Sequence, residues 1–160
     1  MNLQERINGK LPEIDIAGTM FYVDLRMREL RADYTLNSHI HLDALSSDLM
    51  ASGYRFAFNT VTKKLVEIDA GITEWPANVV IIEIPDELTL DPVAVARHAG
   101  LDPVEFIKQH PIEPELKARI VPLETTAFPK LIEENKKKLS QKIIQRPQQL
   151  RQRPNRNRLQ

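Results

Sequence analysis

The chain has 160 residues, 42% of them hydrophobic and 28% charged, enough for one domain with a core of its own and unlike a disordered or fibrous polymer. It contains no cysteine, which excludes disulfides, thiolate zinc sites and a cysteine nucleophile. Lys+Arg and Asp+Glu both number 22, yet residues 136–160 carry nine cations and no anion, so the rest holds thirteen cations against 22 anions, a net charge of −9.

The nine cations are Lys136, Lys137, Lys138, Lys142, Arg146, Arg151, Arg153, Arg156 and Arg158. Residues 146–160 are almost devoid of apolar side chains and include Pro147 and Pro154, so they cannot bury enough surface to offset the entropy of ordering. The expected organisation is an N-terminal segment 1–10, one globular domain 11–145 and a flexible basic tail 146–160. No apolar run approaches the ~18 residues of a membrane span. The start, Met1 to Arg6, has no basic segment leading into an apolar one, so no signal peptide is expected and a cytoplasmic location is the default.

Taken in chain order, Glu13 to Ile16 and Met20 to Arg26 alternate polar and apolar residues around Gly18, which predicts a β-hairpin with Phe21, Val23 and Leu25 on one face. Arg26, Arg28 and Arg31 interleave with Asp24, Glu29 and Asp33 and read as a mixed, solvated face, with a functional anion site as the alternative. Leu42, Leu45 and Leu49 recur at helical spacing and Gly53 follows, which predicts a short amphipathic helix over 42–52 with Gly53 as its stop. Tyr54, Phe56 and Phe58 line one face of a strand whose hairpin partner is Leu65 to Ile68. An aromatic row of this kind is read as core rather than as a stack for nucleic-acid bases.

Trp75-Pro76 marks a turn, with the tryptophan folded over a core edge. The β-branched run Val79 to Ile84, closed by Pro85, predicts a mid-sheet strand. Asp91-Pro92-Val93 and Asp102-Pro103-Val104 each place a carboxylate at a helix N-cap and a proline at the first helical position, and predict two short helices ending near His98 and His110. Imidazoles there favour the helix dipole. Glu115 to Val121 alternates as a strand with Leu116, Ala118 and Ile120 inward. From Phe128, the positions Leu131, Ile132, Leu139 and Ile143, with Glu133 and Glu134 four residues before Lys137 and Lys138, describe a helix running toward the tail. The sum is an α+β fold with a largely antiparallel sheet built from hairpins, about five or six strands, and three or four helices.

Chemistry-bearing motifs are few. The five glycines are scattered, the closest pair, Gly9 and Gly18, being nine residues apart, so no phosphate-cradling loop is present. Neither a G-x-S-x-G elbow nor an H-E-x-x-H zinc helix occurs. One segment, His39-Ile40-His41-Leu42-Asp43, would if extended put His39, His41 and Asp43 on one face as nitrogen and oxygen metal ligands. The competing reading is an exposed polar face leading into a helix, with Asp43 near its N-terminus.

No cofactor is expected. The favoured function is a non-enzymatic binding or accessory module. Its acidic body would recognise a protein partner, while its basic end makes electrostatic contacts that extend to nucleic acid. Without an aromatic residue after Phe128, such contacts would be backbone-directed and salt-sensitive. A metal-assisted enzyme at His39, His41 and Asp43, and an acidic mimic of nucleic acid, are the alternatives.

Overall fold

The computed structural model describes residues 1–32, 38–48 and 53–151, and the side chains of all of these except 46–48 and 146–151. In chain order the elements are α1 (Leu3–Ile7), β1 (Glu13–Ile16), β2 (Thr19–Asp24), β3 (Glu29–Ala32), β4 (His39–His41), β5 (Ser46–Asp48), β6 (Gly53–Asn59), β7 (Lys64–Val66), β8 (Val79–Pro85), α2 (Glu87–Leu90), α3 (Pro92–His98), α4 (Pro103–Gln109), β9 (Leu116–Lys117), β10 (Arg119–Val121) and α5 (Phe128–Arg151). The class is the expected α+β one, with more strands than five or six. Among the described residues no helix is long and apolar enough to cross a membrane.

The chain divides into two compact units, one formed by Met1–Glu67 and Ala77–Pro122, the other by Ile68–Pro76 and the segment from Leu123 onward. The first unit contains two sheets, ordered β4-β3-β2-β1-β9 and β10-β8-β6-β5, with β7 also paired to β6. Every strand pair is antiparallel except β1 with β9. The first hairpin turns on Ala17 and Gly18, both at positive φ (49° and 85°), the geometry that matches the twist of its flanking strands. The Asp15 carboxylate accepts from the Gly18 amide at 2.8 Å and holds this turn.

The inward faces share one core, in which Ile14, Ile16, Phe21, Val23, Leu30 and Ile40 of the first sheet meet Phe56, Phe58, Ile82 and Ile84 of the second. The Phe21 and Phe58 rings meet edge to face at 5.9 Å. Phe56 and Phe58 are therefore core, as their alternation predicts, and β8 lies mid-sheet between β6 and β10. On the outer face of the second sheet, Glu83 of β8 accepts from Arg55 of β6 at 2.9 Å and from Arg119 of β10 at 3.1 Å, in register across three strands.

Both Asp-Pro signals act as predicted. The Asp91 carboxylate accepts from the Ala94 amide at 3.1 Å, and that of Asp102 from Val104 at 3.1 Å. The predicted helix over 42–52 does not form. Leu42–Ala44 is a single 3-10 turn, and Ser46–Asp48 is β5, paired with β6. The rest of that window, 49–52, lies outside the described residues. Leu42 and Leu45 are both buried, so the apolar spacing is satisfied by one tight turn. Ser46, Ser47 and Asp48 are poor helix formers and pair with the sheet instead.

Gly53 does not stop a helix; it opens β6, and a Cβ there would sit 2.1 Å from the Ile84 carbonyl oxygen. The predicted strand over 115–121 divides into β9 and β10, which join different sheets, so its alternation breaks: Leu116 and Ala118 are buried, whereas Ile120 is 52% exposed and Val121 takes the inward position.

Candidate functional site

β4 presents His39 and His41 to solvent with Ile40 buried between them, as two-residue periodicity requires. The extended geometry that would align Asp43 with them ends at His41, where the 3-10 turn begins. Asp43 Oδ1 instead accepts from Arg28 Nε at 2.8 Å, and His39 Nδ1 stands 3.4 Å from Glu29 Oε2. The structure does not bring His39, His41 and Asp43 into one donor set, and among the described residues no group of three His, Cys, Asp or Glu is arranged to hold a metal. His98 ends α3 and His110 caps α4, where its ring lies 4.6 Å from Phe106.

The basic end is built on α5, in the second unit. Its first two turns are held by the segment 68–76: Trp75 packs against Phe128 with ring centroids 5.0 Å apart, and Asn135 Nδ2 donates to the carbonyls of Ala70 (2.9 Å) and Ile72 (2.8 Å). The predicted turn tryptophan is thus half-buried against the start of the helix. Beyond Asn135 every side chain described on α5 is exposed, including Leu139 (50%), Ile143 (62%) and Ile144 (66%). Lys137 pairs with Glu133 at 3.2 Å, an i,i+4 contact, whereas Lys136, Lys138 and Lys142 have no ion-pair partner among the described residues. The helix backbone continues past Gln145, through Pro147, to Arg151, so Arg146 and Arg151 belong to α5. Arg153, Arg156 and Arg158 lie outside the described residues.

At about 100° per residue, Phe128, Ile132, Asn135, Leu139 and Ile143 fall within one narrow stripe of α5, with Lys136 and Lys142 about 60° to either side of Leu139. The stripe that docks the helix on 68–76 is the same one that continues, uncovered, through Leu139 and Ile143.

Two arginines that did not stand out in the sequence, Arg6 and Arg97, line a cleft of about 810 Å³ in the first unit, together with Arg26 and Arg28. Arg6 is only 6% exposed because Asp91 neutralises it: Nε lies 3.0 Å from both carboxylate oxygens and Nη2 is 2.6 Å from Oδ2. The sequence signal for this was Asn2-x-x-Glu5, a capping box that starts α1 and positions Arg6 on it. Arg28, at φ +52° in the β2–β3 turn, bridges Asp43 and Glu87, and these two hydrogen bonds raise its pKa further above the ordinary arginine value. Tyr54 donates its hydroxyl to the same Glu87 at 2.8 Å, and burial, then that bond, raises the phenol's pKa.

No protein-family model, curated protein or solved structure matches the chain.

Proposed function

We propose that the protein is a non-enzymatic binding module of the cytoplasm that offers the uncovered half of α5 to a protein partner, as a helix laid into an apolar groove rimmed by carboxylates. The observation that carries this reading is the continuity of the helical stripe, half-buried at Phe128 and Ile132 and exposed at Leu139 and Ile143. An apolar stripe gains free energy only when covered, at roughly 25 cal/mol per Å² removed from water. The flanking Lys136 and Lys142 select a surface of opposite charge.

A phosphate backbone would satisfy the lysines but would give the exposed aliphatic side chains nothing to pack against. The acidic-mimic reading is less favoured because many carboxylates of the first unit are engaged, Asp91 by Arg6, Asp24 and Glu29 by Arg31, and Glu83 by Arg55 and Arg119. The metal-enzyme reading has no donor set assembled among the described residues behind it.

The test compares full-length protein with Leu139→Ser/Ile143→Ser and with Lys136→Gln/Lys138→Gln/Lys142→Gln, first for the proteins each retains from host extract, then for labelled duplex DNA and single-stranded RNA at two salt concentrations. The expected result is a retained protein that a synthetic 128–151 peptide displaces and a scrambled one does not. The double variant should weaken its binding by about tenfold or more, and the triple variant should flatten its salt dependence. Tight nucleic-acid binding that ignores the Leu139→Ser/Ile143→Ser change would overturn the proposal in favour of a backbone contact.

A further inference from the structure

The cleft in the first unit is lined by none of the described residues of α5 and has an imbalance of its own. Its carboxylates all have cationic partners: Asp24 accepts from Arg31 at 3.0 Å, and Glu87 from Arg28 at 2.9 Å. Two of its four guanidinium groups are not matched in return. Among the described residues Arg26 has no partner, and Arg97 donates only to the Ile7 carbonyl, at 3.2 Å. His98 adds an imidazole to the same lining. The remaining lining is small or aliphatic, with Leu11, Leu25 and Val95 half-buried in it, and it includes no Phe, Tyr or Trp. The volume, about 810 Å³, falls in the range of cavities that hold small molecules. Arg28 and Arg6 are fixed in the wall by their ion pairs, so the wall is formed before any ligand arrives.

We infer that this cleft binds a small organic anion, its carboxylate or phosphate group held by Arg26 and Arg97 and its aliphatic body against Leu11, Leu25 and Val95. Guanidinium groups suit both anions because their planar donor fork meets two oxygens at once. A lining of aliphatic side chains without Phe, Tyr or Trp favours an aliphatic body over a nucleotide.

The experiment titrates the isotope-labelled full-length chain with hexanoate, hexyl phosphate, inorganic phosphate and hexanol, following backbone amide shifts. Saturable shifts at the cleft with hexanoate or hexyl phosphate, and affinity lowered about tenfold or more in Arg26→Ala/Arg97→Ala, are expected, since the two guanidinium groups supply the charge-assisted hydrogen bonds to the anion. Which of the two anions binds more tightly identifies the headgroup. Both replaced arginines are exposed, so the amide spectrum of the double variant should otherwise match that of the parent. Unsaturable shifts, equal affinity for hexanol, inorganic phosphate binding as tightly as hexyl phosphate, or unchanged affinity in the double variant would each overturn the assignment.

Discussion

Two side chains and one missing side chain set the tolerances of the first unit. At Gly53 the adjacent strand passes so close that a Cβ would sit 2.1 Å from the Ile84 carbonyl oxygen, a backbone atom that cannot move aside alone. Gly53→Ala should therefore cost at least the ~1–3 kcal/mol typical of overpacking, read as a lowered midpoint in urea unfolding. An unchanged midpoint would mean that β6 and β8 separate freely at that end. The Arg6–Asp91 pair makes a sharper test, because Asp91 both neutralises Arg6 and caps α3. Asp91→Asn keeps an oxygen for the Ala94 amide but strands a buried guanidinium, so it should lose about 3–5 kcal/mol. Asp91→Ala should lose about 1 kcal/mol more for the cap. Were Asp91→Asn as stable as the parent, the charge pair would have no part in holding α1 to α3.

Among the elements, the second sheet carries a pH dependence in its outer face. The hydrogen bond from Arg55, then that from Arg119, holds the Glu83 carboxyl below the usual carboxylate range. A carboxyl depressed in the folded state contributes stability that is present above its unfolded pKa and fades as pH falls through the folded one. Glu83→Gln should therefore flatten the acid limb of a stability-versus-pH curve, with the difference from the parent largest at neutral pH and shrinking as the pH is lowered. A parallel offset at every pH would contradict the assignment. Elements whose signal is local were legible in the sequence. Asp91-Pro92 and Asp102-Pro103 each state a cap and a first turn within three residues, and the Ala17-Gly18 turn needs only its own dihedral preferences. Elements decided by distant partners were not. Residues 116–121 read as one strand because nothing in their alternation tells that β9 joins β1 while β10 joins β8. Leu42 and Leu45 read as a helix because burial in one tight turn leaves the same spacing. The histidine cluster failed for the same reason: the turn at Leu42 ends the extended geometry that would have carried Asp43 to the face of His39 and His41. The sequence shows Arg26 beside Arg28 and Arg31 as an alternative anion site but cannot join Arg26 to Arg97, because the two line one cleft only after α3 has folded near the β2–β3 turn.

For the molecule as a whole, the division into two units predicts two separable readouts. The only tryptophan, Trp75, belongs to the second unit, so its fluorescence reports on the packing of 68–76 against α5. Asn135→Ala removes donors from two carbonyls there and should cost about 1–3 kcal/mol locally. The tryptophan transition should move to lower denaturant while amide-exchange protection in β6 and β8 stays as it was. Loss of protection in both places together would show one cooperative unit instead. The parallel pairing of β1 with β9, in which Ile14 lies beside Leu116, has a consequence for biosynthesis. A ribosome adding about 5–20 residues per second needs roughly 5–20 s to pass from one to the other. Throughout that interval β1 emerges with one edge unpaired, a template for pairing with another nascent chain. Only when residues 116–117 leave the exit tunnel does that edge close, so pauses in translation between the two strands should lower the yield of folded protein.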